Sequence, residues 1–321
     1  MGIIDRGSAL EVKDSVQREL KGATIASSFY SMMNEFHSID NVWDDYNIEK
    51  VLLKQQELDT EGIKNREPKR TDIVTFNPSA ASKCPRELFY KNSALVPDGL
   101  TLYPYNRRWA SNGTAVHSRI QRDLLYAEKL LRDCPFKVAT AKDLLGDLVK
   151  DSRADLPAWE NNILVTKEFT HKGVTWAIRG MSDGYLWYKD RLINLEIKTK
   201  STTVAAVGNY KMKEPMHSHK MQCICYSLLF MGDPYEDRTD TSILFYESLA
   251  KDGWTKGAEA RPDLRVFNIE VTREMRLELM DKFSMVATSV QNGEIPFAET
   301  DKCLFCNYKQ TCEECGAICK Y

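Results

Sequence analysis

The apolar and polar positions along the chain change period several times. From Asn162 to Thr199 they fall into four short runs, "ILVTKEF", "VTWAIRG", "SDGYLWY" and "RLINLEIKT", rich in β-branched and aromatic residues. Turn signals at His171-Lys172-Gly173 and Lys189-Asp190 punctuate them, so the pattern predicts an antiparallel meander. Upstream, Val116, Ile120, Leu124 and Leu131 recur at helical spacing and predict a helix from about Ala110 to Arg132. His117 and Gln121 share one face of it. A shorter helix beginning near Ser79, a fitting N-cap, carries Cys84-Pro85-Arg86-Glu87-Leu88-Phe89-Tyr90. Downstream the pattern predicts a helix over Met216 to Met231 and strands over Ser242 to Ser248 and Arg265 to Val271. A last helix is capped by Thr272 and stopped by Gly293.

Residues before about 60 are poor in Gly and Pro and read as helical. A polar, basic linker from Thr60 to Asp72, containing Pro68, sets them apart. No repeat or low-complexity tract occurs. The expected architecture is α/β, a mixed β-sheet flanked by helices. Its parts are an N-terminal helical extension (residues 1–75), a core (76–296) and a cysteine-rich tail (297–321).

Composition narrows the function classes. The net charge is -2, so no global basic field draws nucleic acid, and contacts must come from local patches. No run of 18 apolar residues is present, so no membrane span is expected. The start, MGIIDRGSALEVKD, lacks the basic-then-apolar order of a signal peptide, and Arg6 spoils the myristoylation pattern. A cytoplasmic protein is expected. Of nine cysteines, five lie between Cys303 and Cys319. In a reducing compartment such clustering points to metal rather than disulfides. Cys134, Cys223 and Cys225 lie in apolar settings and read as core.

Candidate chemistry sits inside the third and fourth strands. Side chains two apart on a strand project from one face, so Glu196 and Lys198 point together. Asp183, on the strand expected before theirs, can meet them by antiparallel pairing. Two carboxylates and the Ile197 backbone carbonyl make a hard oxygen site suited to Mg²⁺ or Mn²⁺. A lysine beside the ion can hold or help deprotonate a water, as phosphodiester hydrolysis requires. The plainer alternative is a set of solvated strand charges or a cross-strand ion pair.

Asp183 followed by Glu196-Ile197-Lys198 resembles the PD-(D/E)XK motif of restriction-endonuclease-like nucleases, with Ser182 in place of the Pro. Gln222-Cys223-Ile224-Cys225-Tyr226 resembles the QxxxY motif of the RecB branch. Gly113-Thr114-Ala115-Val116-His117 resembles that branch's GxxxH helix. The likeness covers roughly residues 79 to 315. It implies a restriction-endonuclease-like core and a metal held by His117, Asp183, Glu196 and the Ile197 carbonyl. Asp183, Glu196, Lys198, Gln222 and Tyr226 are then the catalytic set. Glu168 could approach the same place but reads more simply as a strand charge. His217 and His219 read as ordinary polar residues.

In the tail, "CLFCNYKQTC" spaces Cys303, Cys306 and Cys312 as C-x2-C-x5-C. With Cys84 upstream this resembles the iron–sulfur nucleases, the CRISPR-associated RecB-like exonucleases and AddB. The resemblance implies a [4Fe–4S] cluster on Cys84, Cys303, Cys306 and Cys312, acting as a clip around the core. Thiolates suit zinc as well. A Zn²⁺ site on Cys303, Cys306, Cys312 and Cys315 is the alternative, though its pairs stand closer than zinc ribbons usually place them. Cys315 or Cys319 could also replace Cys84.

"TLYPYNRRWASNG" sets Arg107, Arg108 and Trp109 beside Tyr103 and Tyr105, a mixture able to stack bases and track phosphates. Lys200 could extend that track. The resemblance implies a Mg²⁺- or Mn²⁺-dependent DNA nuclease, an exonuclease preferring single strands or ends. Recombination, repair or phage-type DNA processing is the implied setting, in the host cytoplasm if phage-encoded. Rival readings are a non-catalytic DNA-binding or assembly subunit and a structure-specific endonuclease. No P-loop occurs, so unwinding would fall to a helicase or recombination partner.

Overall fold

The computed structural model describes residues 24–64, 72–99, 103–208, 211–250 and 262–314. Two sheets organise them. The smaller joins β1 (Thr75–Phe76), β4 (Val174–Gly180) and β3 (Val165–His171), in that order. The larger runs β2 (Phe136–Val138), β5 (Gly184–Tyr188), β6 (Arg191–Lys200), β7 (Asp240–Ser248), β8 (Leu264–Val271). β6 and β7 are parallel and the other neighbours in this sheet antiparallel, so the sheet is mixed.

The expected meander is two hairpins in two sheets. β3 pairs with β4 and β5 with β6, but the ladder breaks between Gly180 and Gly184. Gly180 shows the cause. A Cβ there would lie 2.6 Å from the Pro78 ring, so the end of β4 runs too tightly against the Pro78–Ala80 turn for any side chain. β4 is drawn into the smaller sheet, and the chain must turn before β5 begins.

Helices cover both faces of the larger sheet. On one face lie α1 (24–37) and α4 (Pro104–Leu130). Their Phe29, Ile120 and Leu124 pack on Ile193, Leu195 and Ile197 of β6 and Phe245 of β7. On the other lies α6 (His217–Phe230), against which α7 (Arg273–Asn292) packs; α7 also rests on β4 of the smaller sheet and carries α3 (Pro85–Asn92), with Leu228, Phe283 and Trp176 in one core. Burying these side chains at roughly 25 cal/mol per Å² supplies the main stabilisation of both layers. The period of two in β6 decides which residues go where. Its Ile193, Leu195 and Ile197 face α1 and α4, while Asn194, Glu196 and Lys198 turn toward α6.

Three shorter or outlying helices complete the described fold: α2 (Tyr46–Lys64), α5 (Ala141–Leu145) and α8 (Lys309–Glu314). Among the described residues no helix is long and apolar enough to cross a membrane.

α6 and α7 follow the expected boundaries. Thr272 accepts the Met275 N–H, and Gly293 ends α7 at φ 71, a left-handed conformation that suits glycine. Three further expectations need correction. The short helix α3 begins at Pro85, with Cys84 at its N-cap, not near Ser79, where a separate 3-10 turn (Pro78–Ala80) precedes it. α4 begins at Pro104, not near Ala110, because Pro104 presets the first helical φ and the Asn106 side chain caps the Tyr103 N–H at 3.0 Å. Arg107, Arg108 and Trp109 are therefore helical rather than in a loop. The linker also starts later than Thr60. The Thr60 hydroxyl bonds back to the Gln56 carbonyl at 2.8 Å and α2 continues to Lys64. The linker's middle lies outside the described residues.

Candidate metal centre

β5 begins at Gly184, opposite Leu195, so past Leu195 the β5-side edge of β6 is open. Asp183 stands in that opening, one residue before the strand that was expected to hold it. Its Oδ2 accepts the Ile197 N–H at 2.7 Å, replacing a ladder partner. The N–H and C=O of a strand residue leave the same edge, so the Ile197 carbonyl faces the opening too. Ser182 fixes the turn. Its buried hydroxyl receives the Asn194 side-chain amide and lies 3.3 Å from the Gly184 and Leu195 carbonyls.

Because the sheet is open here, side chains from both of its faces converge. From α4, His117 Nδ1 comes to 3.3 Å from Asp183 Oδ1. From the α6 side come Glu196, only 1% exposed, and the Lys198 ammonium paired with it. Gln222 Nε2 donates to the Tyr226 hydroxyl at 2.8 Å. Tyr226 and Lys198 both lie against the Glu196 carboxylate, yet neither of its buried oxygens has a hydrogen bond of good geometry. The structure thus brings together His117, Asp183, Glu196, Ile197, Lys198, Gln222 and Tyr226.

The electrostatics are those of a site short of positive charge. Burial, then the Asp183 charge, raise the Glu196 carboxyl to about 7 against the pull of Lys198 and Tyr226. Lys198 is pulled down by burial, but Glu196 and Asp183 outweigh this and raise it. His117 follows the same logic: burial lowers it, and the Asp183 hydrogen bond and charge carry it above its ordinary value.

Sequence reading missed Glu160. His117, Glu160 and Asp183 can each offer a ligand atom within 4.8 Å of the others. Burial and the Asp183 charge raise the Glu160 carboxyl. Gln121, on the His117 face of α4, donates to the Asp183 carbonyl at 2.8 Å and to Glu160 Oε1 at 3.3 Å. No periodicity marks Glu160, which lies at a 3-10 turn at φ 45.

The remaining candidates lie farther out. Glu168 is exposed on β3, in the smaller sheet. His219 bonds the Tyr246 hydroxyl at 2.8 Å, and burial with the Lys198 and Lys200 charges lowers it to about 4. Lys200 rests against Met216 Sδ at 2.8 Å and over the Tyr246 ring. Arg107 and Arg108 are exposed near the start of α4. Beside them Tyr103 and Tyr105 stack at 5.4 Å and Trp109 leans on Tyr105 at 4.7 Å, all exposed.

The tail folds back onto α3. Cys84 caps that helix and its sulfur accepts the Glu299 N–H at 3.2 Å. Arg86 reaches the Pro296 carbonyl at 2.9 Å and Cys312 Sγ at 3.7 Å. The Tyr308 N–H points at Cys306 Sγ, 3.5 Å away. Asp98 holds the backbone N–H of Gln310 at 2.6 Å and the Thr311 hydroxyl at 2.6 Å. Cys84, Cys303 and Cys312 are buried and Cys306 half-buried, and none of the four is in a disulfide. Among the described residues no three of these sulfurs lie mutually within 4.8 Å. A zinc tetrahedron with bonds of about 2.3 Å would set them about 3.8 Å apart. Cys315 and Cys319 lie outside the described residues.

No family model and no curated protein matches the chain. Among solved structures, one described as the crystal structure of SSO0001 is 16% identical. The match covers 84% of this chain and 97% of that one, at a TM-score of 0.37.

Proposed function

We propose that this chain is a Mg²⁺- or Mn²⁺-dependent DNA nuclease built on a restriction-endonuclease-like core. One observation carries the reading: Asp183, Glu196 and Lys198 meet His117 where the sheet opens. A carboxylate as buried as Glu196 is expensive unless something compensates it. Lys198 compensates in part, and the hard oxygen and imidazole donors around it fit a divalent cation. The holders are His117, Asp183, Glu196 and the Ile197 carbonyl. When bound, the ion lowers the pKa of a coordinated water and offsets charge building on the scissile phosphate.

The chain's own groups do the rest. Lys198 enters as a cation, its pKa raised by Glu196. Placed beside Glu196, the Lys198 amine would serve as a base, or its ammonium as an orienting group, for a water in the site. Gln222 orients the Tyr226 hydroxyl, which steadies the far side of Glu196. Lys200 continues the positive face of β6. The stacked Tyr103, Tyr105 and Trp109, with Arg107 and Arg108, are suited to unpaired bases and their phosphates, which favours single strands or ends as substrate. A non-catalytic DNA-binding subunit would have no use for Lys198 beside a buried acid.

The test is incubation of the full chain with end-labelled linear and circular single-stranded DNA in Mg²⁺, Mn²⁺ or EDTA. Metal-dependent loss of the linear substrate, with circles spared, is expected. Cutting of circles points to the endonuclease alternative, and binding without cutting in either metal defeats the nuclease reading.

The tail reads as a structural metal site. Sulfurs on Cys84, Cys303, Cys306 and Cys312, with backbone N–H groups aimed at Cys84 and Cys306, suit a [4Fe–4S] cluster; Zn²⁺ is the alternative. Protein purified without oxygen is expected to be brown, and Cys306→Ser to lose iron and melt earlier. Colourless wild type with one zinc per chain would replace the cluster by zinc.

A further inference from the structure

Glu160 is held where its own backbone resists. A non-glycine residue at φ 45 is strained, and such strain persists only where the surroundings impose it. They do so from three directions. The Glu160 N–H donates to the Ser182 carbonyl at 2.8 Å, tying it to the turn that presents Asp183. Gln121 bridges its carboxylate to the Asp183 backbone. The flanking residues are fastened to α2: Gln55 Oε1 accepts from Trp159 Nε1 at 2.7 Å and Asn162 Nδ2 at 3.1 Å, and Asp59 pairs with Arg153 at 2.8 Å. Arg153 in turn donates to Asn162 Oδ1 at 2.6 Å.

The result is a carboxylate, an imidazole and a second carboxylate facing each other within 4.8 Å. Octahedral ligands at about 2.1 Å from an ion stand about 3 to 4.2 Å apart, so a small contraction suffices. Beside them lies Glu196, 1% exposed, whose oxygens lack a well-aligned hydrogen bond. It is paired with Lys198 and stands outside the group of three.

We propose that Glu160 is a direct ligand of the divalent cation, together with His117 and Asp183, and that α2 positions it. The inference rests on the metal-dependent reading above and adds a ligand to it. It also gives the N-terminal region a role, since α2 fastens the turn from which Glu160 projects.

The test is Mn²⁺ binding to the full chain without DNA, read by the electron paramagnetic resonance of free Mn²⁺. Glu160→Gln should weaken binding about tenfold or more, the range for disturbing a metal's surroundings being roughly 10- to 100-fold. Glu160→Gly should lose affinity equally while melting, in EDTA, no earlier than wild type, because glycine accepts the left-handed backbone. A wild type that takes up no Mn²⁺, unchanged affinity in Glu160→Gln, or early melting of Glu160→Gly overturns the proposal. Weakened binding in a chain that never cuts DNA would keep this inference and defeat the nuclease reading. Unchanged binding in Glu160→Gln with cleavage intact would do the reverse.

Discussion

Lys198→Met should reduce single-turnover cleavage of end-labelled single-stranded DNA by about 10²- to 10⁴-fold, the usual worth of a positioned proton-transfer group. Methionine keeps the length and apolar stem of lysine, so the β6 face should still pack. Two losses combine. The water loses its ammonium or amine neighbour, and Glu196 loses its cation. Without Lys198, burial and Asp183 push the Glu196 carboxyl up further, so more of it is protonated and fewer sites can take metal. Raising Mg²⁺ should therefore recover part of the rate but not all. A variant that cuts within threefold of wild type would remove Lys198 from the chemistry. Full recovery at high Mg²⁺ would leave it a purely electrostatic role.

The second large effect is on stability, and its sign follows from Glu196 itself. Burial raises this carboxyl from its ordinary 4.5 to about 7, so the folded state binds the proton more tightly than the unfolded chain. The stabilising contribution is then fully present below about pH 4.5 and is lost as pH rises through about 7. A difference of this size corresponds to roughly 3 kcal/mol. In EDTA, wild-type unfolding free energy should fall across that window. Glu196→Gln, which cannot titrate, should fall less by about that amount. His117 adds a slope of the same sign, because its folded value is also raised. Urea melts at pH 5 and pH 8 decide the matter. Parallel losses in the two proteins would mean Glu196 is not the group that titrates.

The elements were legible where one period ruled a whole stretch. α7, from Thr272 to Gly293, and α6 could be read almost to the residue because cap, period and stop agreed. The meander misled because pairing is a tertiary choice. Four strands in a row look alike whether or not β4 and β5 touch, and the deciding contact is Gly180 against Pro78, distant in sequence. The residue types at the candidate site were legible because strand alternation puts Glu196 and Lys198 on one face. The opening in the sheet that lets His117 join them was not. Glu160 was invisible, since neither a 3-10 turn nor a left-handed residue leaves a periodic trace. Asp183 also has a structural role. Because it accepts the Ile197 N–H, Asp183→Ala leaves a backbone donor without its partner, at a cost of about 1–3 kcal/mol that opposes the relief of charge repulsion.

The docking of the tail bears on how a metal group would be assembled. Asp98, Arg86 and the Leu95 carbonyl, which accepts from the Tyr308 hydroxyl at 3.3 Å, grip the segment through ordinary hydrogen bonds that need no metal. The thiols of a chain region near residue 84 and another near 310 are thereby held at high effective concentration before anything binds them. Loop closure across more than two hundred residues is settled by folding, not by the incoming metal, whose binding energy is left for its own ligands. If the tail holds the proposed metal group, this arrangement favours late loading: a folded apoprotein whose sulfurs are already placed when the metal arrives.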